Sequence, residues 1–409
     1  MTSRSDSPAE SARPDKAGAR AVPPGQAFFS FGFRPFFLGA SLWSALAMAV
    51  WIGMLSGAWT VPTALDPVSW HAHEFLFGYL GAVIAGFLMT AIPNWTGRKP
   101  IAGWPLAALF GLWLVGRIAI GASAYIGAPL VALADIGFAV VLAAVMTAEI
   151  VAGRNWRNLI VIALLAVFIA GNALFHWEAA QGYPAAQGFG LRLGLAATVG
   201  LIALIGGRIV PAFTRNWLAK RDKAHLVTPP MQRFDKAALL VLGLSLAVWV
   251  IWPIAPVTGV ALLVAGALHT VRLARWGGTH TGADPLVWVL HVAYACIPLG
   301  AFDEAISIAW PHILGAAPAL HLWMAGGIGL MTLAVMTRAS LGHTGRPLVA
   351  DAGTLAIYLC LIGAVIARVL AGAFPVAAGT LHSVSGVLWV AAFGGFALLY
   401  GPMLLRPRV

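Results

Sequence analysis

Runs of about twenty apolar residues recur twelve times along this chain, and they decide what it can fold into. A helix rises about 1.5 Å per residue, so each run is long enough to cross roughly 30 Å of hydrocarbon. Lipid satisfies no backbone N–H or C=O, so a spanning run that is not part of a barrel must be helical. The runs lie near residues 35–58, 71–92, 104–123, 126–150, 158–178, 189–212, 236–253, 256–276, 284–309, 319–338, 351–373 and 378–403. Pro, Gly, Asn and charged residues separate them, as helix breaks require. The rest of the chain cannot rescue a soluble alternative. Only 10% of residues are charged, against roughly 25% in an ordinary soluble domain. The expected fold is therefore all-α: a polytopic integral membrane protein with about twelve transmembrane helices in one bundle. No internal repeat is visible. Residues 1–27 are polar and Pro-rich and are expected to form a disordered tail. Residues 28–409 are expected to form a single membrane domain.

Charge sets the direction. With the N-terminus placed in the cytoplasm, the even-numbered loops carry "NWTGRKP", "GRNWRN", "RLARWGGTHTGAD" and "TRASLGHTGRP". The loop Arg215–Lys236 adds six Lys and Arg residues. The odd-numbered loops contain neither. Basic residues collect in cytoplasmic loops, so both termini are expected inside, in a multi-pass protein of a bacterial inner membrane. The net charge of +11 then reflects contact with membrane lipid rather than nucleic acid. The two cysteines, Cys296 and Cys360, fall inside apolar runs. They are expected as thiols, and no CxxCH is present for covalent haem.

Once the direction is set, each histidine has a side. His71 and His73, in "WHAHE", open span 2 at the outer face. His176 closes span 5 there, His321 opens span 10, His312 lies in an outer loop, and His382 sits one turn into span 12. Six of the eleven histidines thus gather in the outer third. His291 lies about two turns in from the cytoplasmic side, with Tyr294 on its face. His225, His269, His280 and His343 lie at or near the inner surface. Neutral imidazole binds haem iron, copper and zinc, and bundle metal sites draw ligands from facing helices. His71, His73, His176 and His321 are the ligand candidates for a metal or haem. His291, His382 and His343 stand behind them. A lone interfacial histidine is otherwise a snorkelling or hydrogen-bonded residue. Residues i and i+2 of a helix point about 200° apart, so His71 and His73 cannot serve one point together. Glu74 and Asn172 are placed to orient a ligand imidazole, Asn172 one turn before His176.

Arg117, Arg192 and Arg368 interrupt the outer halves of spans 3, 6 and 11. A guanidinium in lipid needs a partner. Two kinds are open: the carboxylates Asp135, Glu178, Asp303 and Glu304, or an anionic ligand such as haem propionates, on which all three could converge.

The stretches "FRPFFLGA", "WHAHEFLFGYLGAVIAGFLMTAIPNWTGRKP", "GNALFH", "GGRIVPAFTRN", "WVLHVAYACIPLG" and "VMTRASLGHTGRP" together resemble the NnrS family, in order from about residue 28 to the end. The resemblance implies a twelve-span bacterial inner-membrane protein that contains haem and copper and is linked to nitric oxide stress or denitrification. It implies a non-covalent haem, b-type by the lack of CxxCH, and a small gas ligand such as nitric oxide. It does not define a reaction or an electron donor. His71, His73, Glu74, His176, His291, His321 and His343 fall in or beside these blocks; His312 and His382 do not. The alternative function is a transporter or channel whose His- and Arg-lined path carries out no redox chemistry. That reading requires repeats or interrupted helices.

Overall fold

The computed structural model describes residues 27–312 and 316–409. The expected disordered tail lies outside them, Ala27 apart. Among the described residues there are helices and no strands, and twelve helices are long and apolar enough to span a membrane. They are α1 (Phe33–Leu55), α2 (Pro67–Thr96), α3 (Trp104–Gly121), α4 (Ala128–Ala152), α5 (Trp156–Ala180) and α6 (Phe189–Ala219). After the long basic loop come α7 (Arg233–Ile251), α8 (Pro256–His280), α9 (Pro285–Ala309), α10 (Pro318–His343), α11 (Ala352–Ala373) and α12 (Pro375–Leu405).

Successive helices pack side by side, and α12 closes onto α1. Within this circuit α2, α6, α9 and α10 are the most buried spans. The closure has a specific fastening. Arg34, in the first turn of α1, is buried and donates from Nη1 to the carbonyls of Met403, Leu404 and Arg406. Those carbonyls end α12 and have no helical partner of their own. The Arg in "FRPFF" is thus a C-terminal cap supplied from another helix.

Apolar side chains gain little by leaving lipid for protein, so close packing must hold the spans together. Between α5 and α6 it comes from missing side chains. A Cβ on Gly171 would lie 2.6 Å from the backbone nitrogen of Gly194 and 3.0 Å from the carbonyl oxygen of Gly190. Tighter still, Gly207 of α6 leaves the space that the Arg272 guanidinium of α8 fills.

Two spans depart from α-geometry at matching places. The first turns of α2 (Pro67–His73) are α-helical, and Glu74–Tyr79 is a π-helix. The α-helical segment Ala316–His321 leads into α10, where Leu322–Leu330 is π-helical. Each π segment begins directly after a histidine. π-Bulges carry an extra residue in the turn and concentrate at functional sites.

Candidate metal centre

The start of α2 is fixed locally. Asp66 caps it, accepting from the Val68 and Ser69 N–H groups, both at 3.0 Å, and Pro67 occupies the first turn. Pro fits there because its missing N–H would be unpaired anyway. This capped start carries Trp70, His71 and His73 into the bundle, where His73 is fully buried.

Around His73 converge side chains from α3, α4 and α5. Its Nε2 lies 3.1 Å from Asp135 Oδ2 and 3.2 Å from Asn172 Oδ1, and its Nδ1 lies 3.2 Å from Glu74 Oε1. His176 Nε2 lies 3.0 Å from the same Asp135 Oδ2, and Asn172 donates its amide to that oxygen at 2.7 Å. One ligand atom from each of His73, Asp135 and His176 falls within 4.8 Å of the others. Two imidazole nitrogens and a carboxylate oxygen form a donor set that copper, zinc and iron accept.

A second layer holds the first. Arg117 Nη1 donates to both oxygens of Glu74, at 2.7 and 2.8 Å, and Nη2 donates to Asp135 Oδ1. Trp43 Nε1 donates to Glu74 Oε2 at 2.7 Å. Gly78, in the π segment, lacks the Cβ that would collide with Arg117. Two carboxylates face one guanidinium here, and His73, in contact with both, supplies the second positive charge when it is protonated. A metal ion bound at His73 Nε2 would take that proton's place.

His71 faces the other way, as its spacing from His73 requires. Its ring lies 6.5 Å from the His321 ring, centre to centre, with 11° between the planes. Trp51 stacks on it at 4.5 Å and Phe75 packs at 4.7 Å. His71 Nδ1 is buried without a hydrogen-bond partner among the described residues. The parallel rings bring an imidazole of α2 and one of α10 together at the same end of the bundle.

The four ligand candidates therefore form two pairs, His73 with His176 and His71 with His321. The three arginines do not converge. Arg117 serves the first pair. Arg368 donates to His382 Nε2 at 2.8 Å, and its charge acts on His71. Arg192 spends its N–H groups on the carbonyls of Val250 (3.2 Å) and Gln187 (2.7 Å), closing a helix end instead. Of the four candidate acids, Asp135 alone pairs with an arginine among the described residues. Glu178 accepts from the Phe189 and Gly190 N–H groups and so caps α6.

The supporting residues are also redistributed. Asn172 serves His73 and Asp135 rather than His176. Glu74 sides with His73 rather than with His71, drawn there by Arg117. His291 lies apart from both pairs, donating from Nε2 to Thr214 Oγ1 at 2.8 Å. That direction follows because Thr214 gives its own proton to the Val210 carbonyl. His343 packs against Phe31 and Phe33, with ring centres 5.9 and 5.5 Å away. His312 is exposed.

His269, expected at or near the inner surface, is fully buried among its neighbours. Tyr294, expected beside His291, instead joins His269 (2.9 Å) and Arg272 (2.7 Å), and Arg272 pairs with Asp235 at 2.9 Å. Asp135 stands among the sequence's candidate arginine partners and not among its candidate ligands. Its one signal was an acid in the run "ALADIGFAV", which a counter-ion explains equally well.

The family model described as NnrS protein matches residues 27–408. No curated protein matches the chain significantly.

Proposed function

The chain belongs to the NnrS family, and on that premise we propose that it is a haem- and copper-binding inner-membrane protein that handles nitric oxide or iron–nitrosyl species. The observation that carries the proposal is the buried His73–Asp135–His176 triad, whose three ligand atoms lie within 4.8 Å of one another. The donor set suits copper, and Arg117 and Glu74 would hold Asp135 and His73 in place for it. His71 and His321 are the residues that would supply an imidazole to a haem iron, with Arg368 the nearby cation for a propionate. Bound metal would supply a position for a small diatomic ligand. The protein's own residues orient the imidazoles, keep bulk water away and balance charge. Both pairs lie at the bundle end whose loops lack Lys and Arg, which we assign to the periplasmic side.

Elemental analysis and absorption spectra of the purified protein test this directly. His176→Ala and Asp135→Ala should lose copper and keep the haem Soret band. His71→Ala and His321→Ala should lose the Soret band and keep copper. Folded wild-type protein that takes up neither group when both are supplied would sink the assignment. A protein that binds both while all four variants retain both would show that the ligands lie elsewhere.

A further inference from the structure

A buried acid on α9 has no role in either histidine pair. Glu304 is 5% exposed. Its Oε1 accepts from Trp249 Nε1 of α7 at 2.9 Å, and its Oε2 has no hydrogen-bond partner among the described residues. No ion pair among the described residues reaches it. The charged side chains on the elements around it are committed elsewhere. Arg192 of α6 is bound to two carbonyls, and Arg272 of α8 is paired with Asp235. On α10, Trp323 packs edge-on against Trp249 at 5.4 Å and spends its N–H on the Ile297 carbonyl. The one charged neighbour acting on Glu304 is Asp303, an acid, whose side chain is partly exposed and whose Oδ2 is also unpartnered.

An ionised carboxylate in this place would be held by a single indole N–H beside a second acid, inside a membrane span. A carboxylic acid fits better: Oε1 is then the carbonyl that accepts from Trp249, and Oε2 carries the hydrogen, the atom that has no donor pointing at it. We propose that Glu304 is an intramembrane proton-carrying site that exchanges with water at the Lys- and Arg-free end through Asp303. The step is a simple transfer. The Glu304 O–H bond breaks as its proton forms a new O–H bond on a bridging water, that water gives up another of its protons to the Asp303 carboxylate, Asp303 releases it to outer water, and the reverse path reloads Glu304. No electron moves. The proposal does not rest on metal or nitric oxide.

The test uses full-length protein in lipid nanodiscs and reads the acid itself. Infrared spectroscopy should show a protonated-carboxyl C=O band that shifts in D₂O, disappears in Glu304→Gln and shifts more slowly in Asp303→Asn. Dicyclohexylcarbodiimide, an apolar reagent that modifies protonated carboxyls, should label Glu304 by peptide mass spectrometry. Gln keeps an acceptor for Trp249, so Glu304→Gln should fold. If it does not, labelling and deuterium exchange of wild type decide alone. Absence of label and of an exchangeable band would overturn the proposal. So would a band that belongs to Glu304 but never exchanges, since that acid would only anchor Trp249.

Discussion

Arg117 shows how much of the site rests on one side chain. It donates to Glu74 and to Asp135 at once, and all three are buried. Leaving a buried charge without its partner costs about 3–5 kcal/mol. Arg117→Leu strands two carboxylates, so it should destabilise the protein by at least that order, read as a large fall in thermal midpoint. Adding Asp135→Asn should recover part of the loss, because one stranded charge is then removed; strictly additive losses would show that Arg117 and Asp135 are not coupled. The sequence offered Asp135 as one of four acids for the three arginines, but did not offer Glu74 as a partner or say which arginine Asp135 would meet. Glu74 and Asp135 stand 43 and 18 positions from Arg117, and periodicity along one helix says nothing about which neighbour faces it. His71 and His73 are the contrary case. Their spacing alone predicted that they serve different points, and the structure gives them to His321 and to Asp135 with His176.

Helices add a second kind of information. The π segments of α2 and α10 follow directly on His73 and His321, and no residue pattern announced them. Removing one residue from Glu74–Tyr79 should restore α-geometry and rotate Pro67–His73 by about 100° against the rest of α2. Both His71 and His73 would then leave their partners. The expected outcome is loss of metal and haem together in a protein that still elutes as a folded monodisperse species, whereas unchanged content would mean the π segment places neither histidine. Helix ends are better written in sequence. Asp351 caps α11, accepting from the Thr354 N–H at 2.7 Å. That bond holds its carboxyl below the usual carboxylate range. A depressed folded-state value stabilises the protein above the unfolded value of about 4, and the benefit is lost as pH falls through the lower folded-state value. Asp351→Ala should therefore cost about 1 kcal/mol at neutral pH. Melting series should show the gap to wild type narrowing in acid; a gap independent of pH would remove ionisation from the account.

At the scale of the molecule, direction is the property to measure. Tyr183, between α5 and α6, is exposed, as is Lys223 in the basic loop between α6 and α7. In a background without Cys296 and Cys360, an impermeant maleimide should label Tyr183→Cys in intact spheroplasts and Lys223→Cys only after lysis. The opposite pattern would invert the bundle and put the histidine pairs on the cytoplasmic side. Twelve spans, most of their limits to within a few residues and the asymmetry of their loops were readable from the sequence, because membrane insertion is decided segment by segment, by length, apolarity and flanking charge; α6 and α10 run on past their apolar stretches, to Ala219 and His343. The contact of α12 with α1, the burial of α2, α6, α9 and α10 at the centre, and the grouping of His73, Asp135 and His176 were not. Within lipid the hydrophobic effect does not choose between one apolar face and another. The choice falls to close packing at glycines such as Gly171 and Gly207, and to a few buried polar pairs, which exist only once helices distant in sequence have met.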